Sequence, residues 1–190
     1  MDDVFGYLLG RGIAFLVFPH PAAVTASDTA RAHGLEMAEL IRTEVVTGAT
    51  GPALMVVPND RYLDLGLVRT ALRDPEARLA THAEIRALAP GCAIGAIPPL
   101  SLYVMAPMYV DPAVADRPQL LFPAGRSTAI VAVQRAELLR DDPYVVAPLT
   151  RESAVPEPVL APSRRQILSD ESLTPAHLSD PPSGGPADVA

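Results

Sequence analysis

The chain has 190 residues, 49% of them apolar, enough for one domain with a sizeable core or two small ones. It carries five Tyr, four Phe and no Trp, so aliphatic side chains must fill that core. The net charge of −7 argues against general affinity for a nucleic-acid backbone, DNA included, and the single cysteine, Cys92, excludes an internal disulfide and a multi-cysteine zinc site.

Every basic residue is an arginine, so no lysine is present to form a Schiff base or hold a phosphate. Residues 1–140 hold 14 acids and 12 arginines, against 8 and 3 in residues 141–190, so the two parts carry −2 and −5. A local arginine patch for RNA stays open in the first part. No apolar run approaches the roughly 20 residues that span a bilayer. The start Met1-Asp2-Asp3 lacks the basic opening of a secretory signal. A soluble, cytoplasmic protein without a membrane partner is expected.

In chain order, Val4, Tyr7 and Leu8 have helical spacing. The run 13–18, bounded by Gly12 and Pro19, predicts a buried strand. Residues 25–33 predict a helix that Thr25 caps, with Asp28 three residues on and Gly34 ending it. A helical turn over 37–41 and a strand over 43–47 follow. The turn 48–51 leads into a partner strand over 53–57, closed by Pro58. Helices are predicted over 65–72 and 82–88, with a short extended segment at 79–81 between them. Beyond the proline-rich loop, strands are predicted over 102–105, 108–110, 119–122 and 129–133, and a helix over 134–140. Helices and strands interleave, while the tight turns at 48–51 and 123–126 demand antiparallel pairs. The expected fold is α/β (α+β): a mixed, strongly curved or barrel-like sheet of about six to seven strands with helices outside.

Composition changes near Asp141. Residues 141–190 hold 9 of the 21 prolines and close on Asp180-Pro-Pro-Ser-Gly-Gly-Pro186. Proline removes backbone donors, and few apolar residues remain to offset ordering entropy. The expected organisation is therefore a domain over 1–140 and a Pro-rich, acidic, mostly disordered tail over 141–190, in which 165–168 could be a transient helix or a docking segment.

No nucleophile elbow, phosphate loop, dinucleotide fingerprint or His-Glu-x-x-His stands in the chain. His20, His33, His82 and His177 are scattered, so no metal site and no cofactor are expected. Nothing marks a base beside Cys92, which reads as a buried structural thiol. The feature left is Pro90-Gly-Cys-Ala-Ile-Gly95-Ala-Ile-Pro-Pro-Leu100-Ser101. Gly95 permits positive φ or close approach of a ligand, and Pro98 and Pro99 stiffen the turn after it. A rigid loop can aim the N–H groups of Gly95, Ala96 and Ile97 at one carbonyl oxygen or oxyanion. An ordinary connector would read the same.

Several segments in order decide between these. They are Gly12-Ile-Ala-Phe15 with His20-Pro21 and Thr25; Leu40-Ile-Arg42-Thr-Glu-Val-Val46; Leu54-Met-Val-Val-Pro58 with Leu63-Asp-Leu65; Cys92-x-x-Gly95-Ala-Ile-Pro-Pro-Leu100; Tyr109-Val-Asp111; and Phe122-x-Ala-Gly125-Arg126. Together, over residues 11–139, they resemble the YbaK/prolyl-tRNA-synthetase-associated editing-domain family. The resemblance implies a free-standing trans-editing deacylase that hydrolyses the ester of a tRNA mischarged with a small amino acid. The partners implied are the 3′-terminal adenosine and aminoacyl group of that tRNA, with a cognate synthetase left open. In this family the loop 95–99 contacts the amino acid and the scissile ester. The resemblance thus gives Gly95, Ala96, Ile97 and Arg42 as catalytic, and His20, Thr25, Pro98, Pro99, Gly125 and Thr128 as substrate-binding. Departures are Arg42 where a lysine is typical, Ile94 where a glycine can stand, Ser101 for a closing glycine, and Thr128-Ala129 where an acid is frequent. They leave an alternative: a catalytically impaired module that binds an aminoacyl-tRNA or an amino-acid-like ligand.

Overall fold

A computed structural model describes residues 3–21 and 25–151. The chain opens with helix α1 (Val4–Gly10), whose N-terminus Asp3 caps through Gly6 N–H, and strand β1 (Phe15–Pro19). Helix α2 (Ala26–His33) has the predicted ends. The Thr25 hydroxyl accepts from Asp28 N–H, the Asp28 carboxylate answers Thr25 N–H, and Gly34 turns left-handed at φ +64°. A 3-10 turn (Met37–Glu39) precedes the hairpin of β2 (Ile41–Gly48) and β3 (Gly51–Pro58). Then come β4 (Tyr62–Leu63), α3 (Leu65–Leu72), β5 (Arg78–Leu79) and α4 (His82–Leu88). After the proline-rich loop the chain forms α5 (Ser101–Val104), β6 (Met108–Val110), α6 (Pro112–Ala115), the hairpin of β7 (Gln119–Pro123) and β8 (Ala129–Gln134), and α7 (Arg135–Leu138). Strands β9 (Tyr144–Val146) and β10 (Thr150–Arg151) close it.

The strands form three ladders: β5-β2-β3-β6-β9, β1-β8-β7 and β10-β4. The β2–β3 and β7–β8 hairpins are antiparallel as expected, whereas β3–β6 and β6–β9 are parallel. The fold is mixed α/β, as predicted, but two details of the expectation change. Among the described residues no closed barrel forms. The described residues form ten strands rather than six or seven; β4 and β10 have two residues each, and β9 lies between prolines in the segment read as tail.

The main core lies between the two larger sheets and includes Val4, Leu8, Ile41, Leu54, Leu100, Phe122 and Val131, all buried. At about 25 cal/mol per Å² of apolar surface removed from water, such side chains contribute roughly 1.5–3 kcal/mol each. A second cluster, on the other face of the β2–β3 hairpin, packs Val46, Met55, Val57 and Val68 with Leu149.

Two predicted boundaries are corrected. Residues 102–105 were expected as a strand; instead 102–104 belong to the short helix α5 and Met105 ends it at φ +61°. Asp142 accepts from Ser101 N–H at 3.0 Å and Leu102 N–H at 3.1 Å, and a cap 40 residues away leaves no local signal. The tail expected from 141 onward also begins too early. Asp142 and Leu149 are buried, and β9 and β10 pair with β6 and β4. The rest of that segment, including 165–168 and His177, lies outside the described residues.

Candidate active site

The loop that drew attention in the sequence folds as a β-turn. Ala96 N–H donates to Ala93 O at 3.0 Å, and Gly95, third in the turn, has φ +80°. That is the type II pattern, which calls for glycine there. The turn is held from behind. Ala93 N–H donates to Gly125 O, and Gly125 N–H donates to Ala96 O, each at 2.9 Å. Gly125 itself has φ +76°, and a Cβ there would come within 3.2 Å of Val4 and 3.4 Å of Cys92. Close packing as well as backbone conformation therefore selects glycine.

In front of the turn lies a cavity of about 210 Å³. Ile94, Gly95 and Ala96 form one wall; Thr25, Ala26 and Thr29 of the start of α2 form another. Leu40, Arg42 and Asn59, from the ends of the β2–β3 hairpin, form a third, and Pro123, Arg126, Ser127 and Ile130 a fourth. His20 follows β1, where its N–H donates to Thr128 O, and its ring meets His33 at 5.3 Å. Among the described lining residues there is no carboxylate, so the fixed charges at the cavity are those of Arg42 and Arg126.

Of the residues expected in the site, the fold brings His20, Thr25, Arg42, Gly95 and Ala96 to one cavity. Ile97, Pro98 and Pro99 are buried next to the turn and do not line it. Gly125 and Thr128 stand behind the wall, where their backbones fasten the turn and His20. The Ala96 N–H is taken by Ala93 O, which leaves Gly95 N–H, at the cavity, and Ile97 N–H without a partner among the described residues. Asn59, Thr29, Ser127 and Ile130 were not among the expected residues; Asn59 and Ser127 lie in turns, Thr29 within α2 and Ile130 near the start of β8, and no spacing marks them. Arg126 closes the segment Phe122-x-Ala-Gly125-Arg126, so its place beside the turn is visible in the sequence.

The Arg42 guanidinium is extensively bonded. Its Nε donates to Glu44 at 2.8 Å, Nη1 to Pro58 O at 2.6 Å and Nη2 to Arg61 O at 3.0 Å. Three of its five N–H bonds are thus committed within the protein. Cys92 is buried behind the turn, where desolvation pushes its thiol pKa up while a hydrogen bond with Tyr103 opposes the shift. No group of three or more His, Cys, Asp or Glu that could hold a metal occurs among the described residues, and no helix there is long and apolar enough to cross a membrane.

This mixed fold, with a small cavity against a glycine turn, is that of a known class. Residues 20–140 match the aminoacyl-tRNA editing domain, and the chain belongs to that family. It is similar to the multifunctional Ser/Thr-tRNA deacylase ProXp-y of Escherichia coli (strain K12), with 27% identity over 135 residues that cover 68% of this chain and 80% of the relative. A solved structure described as a candidate trans-editing enzyme for prolyl tRNA synthetase is 32% identical, with a TM-score of 0.69 over 78% of this chain and 94% of that one. The hypothetical protein APE2540 shares the fold at a TM-score of 0.71 and 24% identity, over 79% of this chain and all of its own.

Proposed function

We propose that the chain is a trans-editing aminoacyl-tRNA deacylase acting on tRNA mischarged with a small amino acid. The observation that carries this reading is the Gly95 turn, braced by Gly125, on the wall of a 210 Å³ cavity in an editing-domain fold. The relatives named as deacylase and trans-editing enzyme support it.

Ester hydrolysis needs a positioned water and stabilisation of the tetrahedral oxyanion. Water oxygen bonds to the carbonyl carbon, the bond to the ribose 3′-oxygen breaks, and a proton from the water ends on that oxygen. No protein nucleophile is required. In this reading Gly95 N–H holds the ester oxygen, and Ile97 packs behind the turn that presents it. Ala96, Pro98 and Pro99 keep the turn rigid, Thr25 and His20 bound the aminoacyl group, and Gly125 and Thr128 act through the elements they fasten. Arg42, with three of its N–H bonds on Glu44, Pro58 O and Arg61 O, acts through the turn it holds. A cavity of 210 Å³ bounded by Leu40, Ile94 and Ile130 suits a small side chain. A protein that acts on charged tRNA works in the cytoplasm, beside the synthetases.

The test is deacylation of mischarged Cys-, Ala- and Ser-tRNAs. Release of at least one by the natural chain, and its loss in Gly95→Val with the fold intact, is the expected result. If Gly95→Val clears the substrate as fast as the natural chain, the turn does not hold the ester. The extensive bonding of Arg42 favours one second reading, a module that binds the aminoacyl end without hydrolysis. A blank panel together with retained binding would establish it.

A further inference from the structure

The polar side chains on the cavity wall differ in what they have left to offer. Thr25 Oγ1 donates to Asp28 at 2.7 Å and accepts from Asp28 N–H, and Thr29 Oγ1 donates to Thr25 O at 3.3 Å. His20 Nδ1 lies 2.8 Å from Pro21 O, Arg126 pairs with Asp3, and Arg42 holds three partners. Among the described residues, the Asn59 carboxamide and the exposed Ser127 hydroxyl have no partner, and Asn59 is half-buried.

The placement of Asn59 is fixed by the groups around it. Its N–H donates to Leu40 O at 3.0 Å, and Arg61 N–H closes the turn onto Pro58 O at 3.5 Å. Arg42 then spans the same turn, with Nη1 on Pro58 O at one end and Nη2 on Arg61 O at the other. Glu44 holds Nε and so sets the plane of the guanidinium. A lysine ammonium has no planar fork with which to bridge both carbonyls and Glu44 in this way.

We infer that Asn59 is a ligand-binding residue whose amide oxygen accepts from the α-amino group of the bound aminoacyl ester, and that Arg42 is a positioning residue that holds the Asn59 turn. This rests on the deacylase reading for the identity of the ligand. The α-amino group needs an acceptor, and no carboxylate stands among the described lining residues. Of the two unpartnered side chains at the wall, Ser127 is exposed to competing water, whereas Asn59 is half-buried and its carboxamide oxygen is a neutral acceptor. Glu44 and Asp3, the carboxylates nearest the two cavity arginines, are themselves paired with Arg42 and Arg126 and do not line the cavity.

The test uses the full chain and two stable adenosine amides, 3′-alanylamino-3′-deoxyadenosine and its counterpart with a propanoyl group, which lacks only the amine. Calorimetric or NMR titration gives both affinities. Asn59→Ala is expected to weaken the alanyl ligand about tenfold, the effect of one hydrogen bond, and to leave the propanoyl ligand unchanged. Equal weakening of both, or of neither, overturns the amine contact. Arg42→Lys is expected to weaken the alanyl ligand in the natural background and to add nothing in Asn59→Ala. Additive losses would mean that Arg42 touches the ligand itself and would overturn its positioning role. Natural protein that binds neither amide overturns the inference. Natural protein that binds the alanyl ligand in an Asn59-dependent way, yet deacylates no tRNA, supports the inference and overturns the hydrolytic reading.

Discussion

Gly95 and Gly125 share a left-handed backbone, φ +80° and +76°, yet a methyl group would meet different surroundings at each. At Gly95 nothing lies within 4 Å of a built Cβ, so Gly95→Ala is penalised by conformation alone, about 1–2 kcal/mol. At Gly125 the same penalty adds to contacts at 3.2 Å and 3.4 Å with Val4 and Cys92, and overpacking costs about 1–3 kcal/mol more. Urea denaturation is expected to show Gly125→Ala as the less stable variant. The reverse order would mean that the turn, and not the packing behind it, is the tighter site. Cys92 lies at the same place, and burial raises its thiol pKa. Its thiolate is correspondingly scarce at neutral pH, so iodoacetamide should label the folded chain far more slowly than the urea-unfolded chain. Equal rates would place the thiol in solvent.

Elements whose ends are set by neighbouring residues were legible in the sequence; those set from a distance were not. Helix α2 carries its cap, its first-turn acid and its terminating glycine within ten residues, and each behaves as predicted. Strands β2 and β3 announce themselves through a short turn. Helix α5 has no such marks, because its N-terminal N–H groups bond to Asp142. The site followed the same rule. Gly95 was legible because a positive φ requires glycine, whereas Asn59 reaches the cavity only because Arg42, 17 positions earlier, fastens its turn. Helix α4 offers a test of local control. Thr81 and Glu84 form a capping box, and Arg78 of β5 bonds to both Glu84 oxygens, at 3.0 Å and 2.8 Å. The Arg78 hydrogen bonds, with those of Thr81, lower the Glu84 pKa from 4.5 to about 2. A depressed acid contributes stability above its unfolded pKa and loses it as pH falls through the folded one. Hydrogen exchange at the start of α4 should therefore quicken between pH 4.5 and about 2, beyond the intrinsic change. Glu84→Gln should abolish that pH dependence, and salt should weaken it because the pair is exposed.

At the scale of the molecule, residues 141–151 form a strap on the fold, and their composition concealed this. Pro143 and Pro148 read as tail, but they flank β9, which adds to the edge of the five-stranded sheet. Two buried carboxylates fasten the strap. Asp142 bonds to the start of α5, directly after the loop that carries Gly95. Asp111, 3% exposed, accepts from Leu149 N–H at 3.0 Å, Thr150 N–H at 3.1 Å and Thr150 Oγ1 at 2.9 Å. We therefore propose a domain boundary after Arg151. A chain ending at Arg140 would strip Asp111 of its bonds from Leu149 and Thr150 and would uncap α5. Removing the partners of one buried charge is worth about 3–5 kcal/mol, set against a total stability of about 5–15 kcal/mol. The expected outcome is that residues 1–151 melt within a few degrees of the full chain, while residues 1–140 melt far lower or fail to fold. Asp111→Ala in the full chain separates the strap from mere chain length, since it removes the acceptor and keeps every residue of the segment. If residues 1–140 melt as the full chain does, the strap contributes nothing and the boundary belongs where the composition changes.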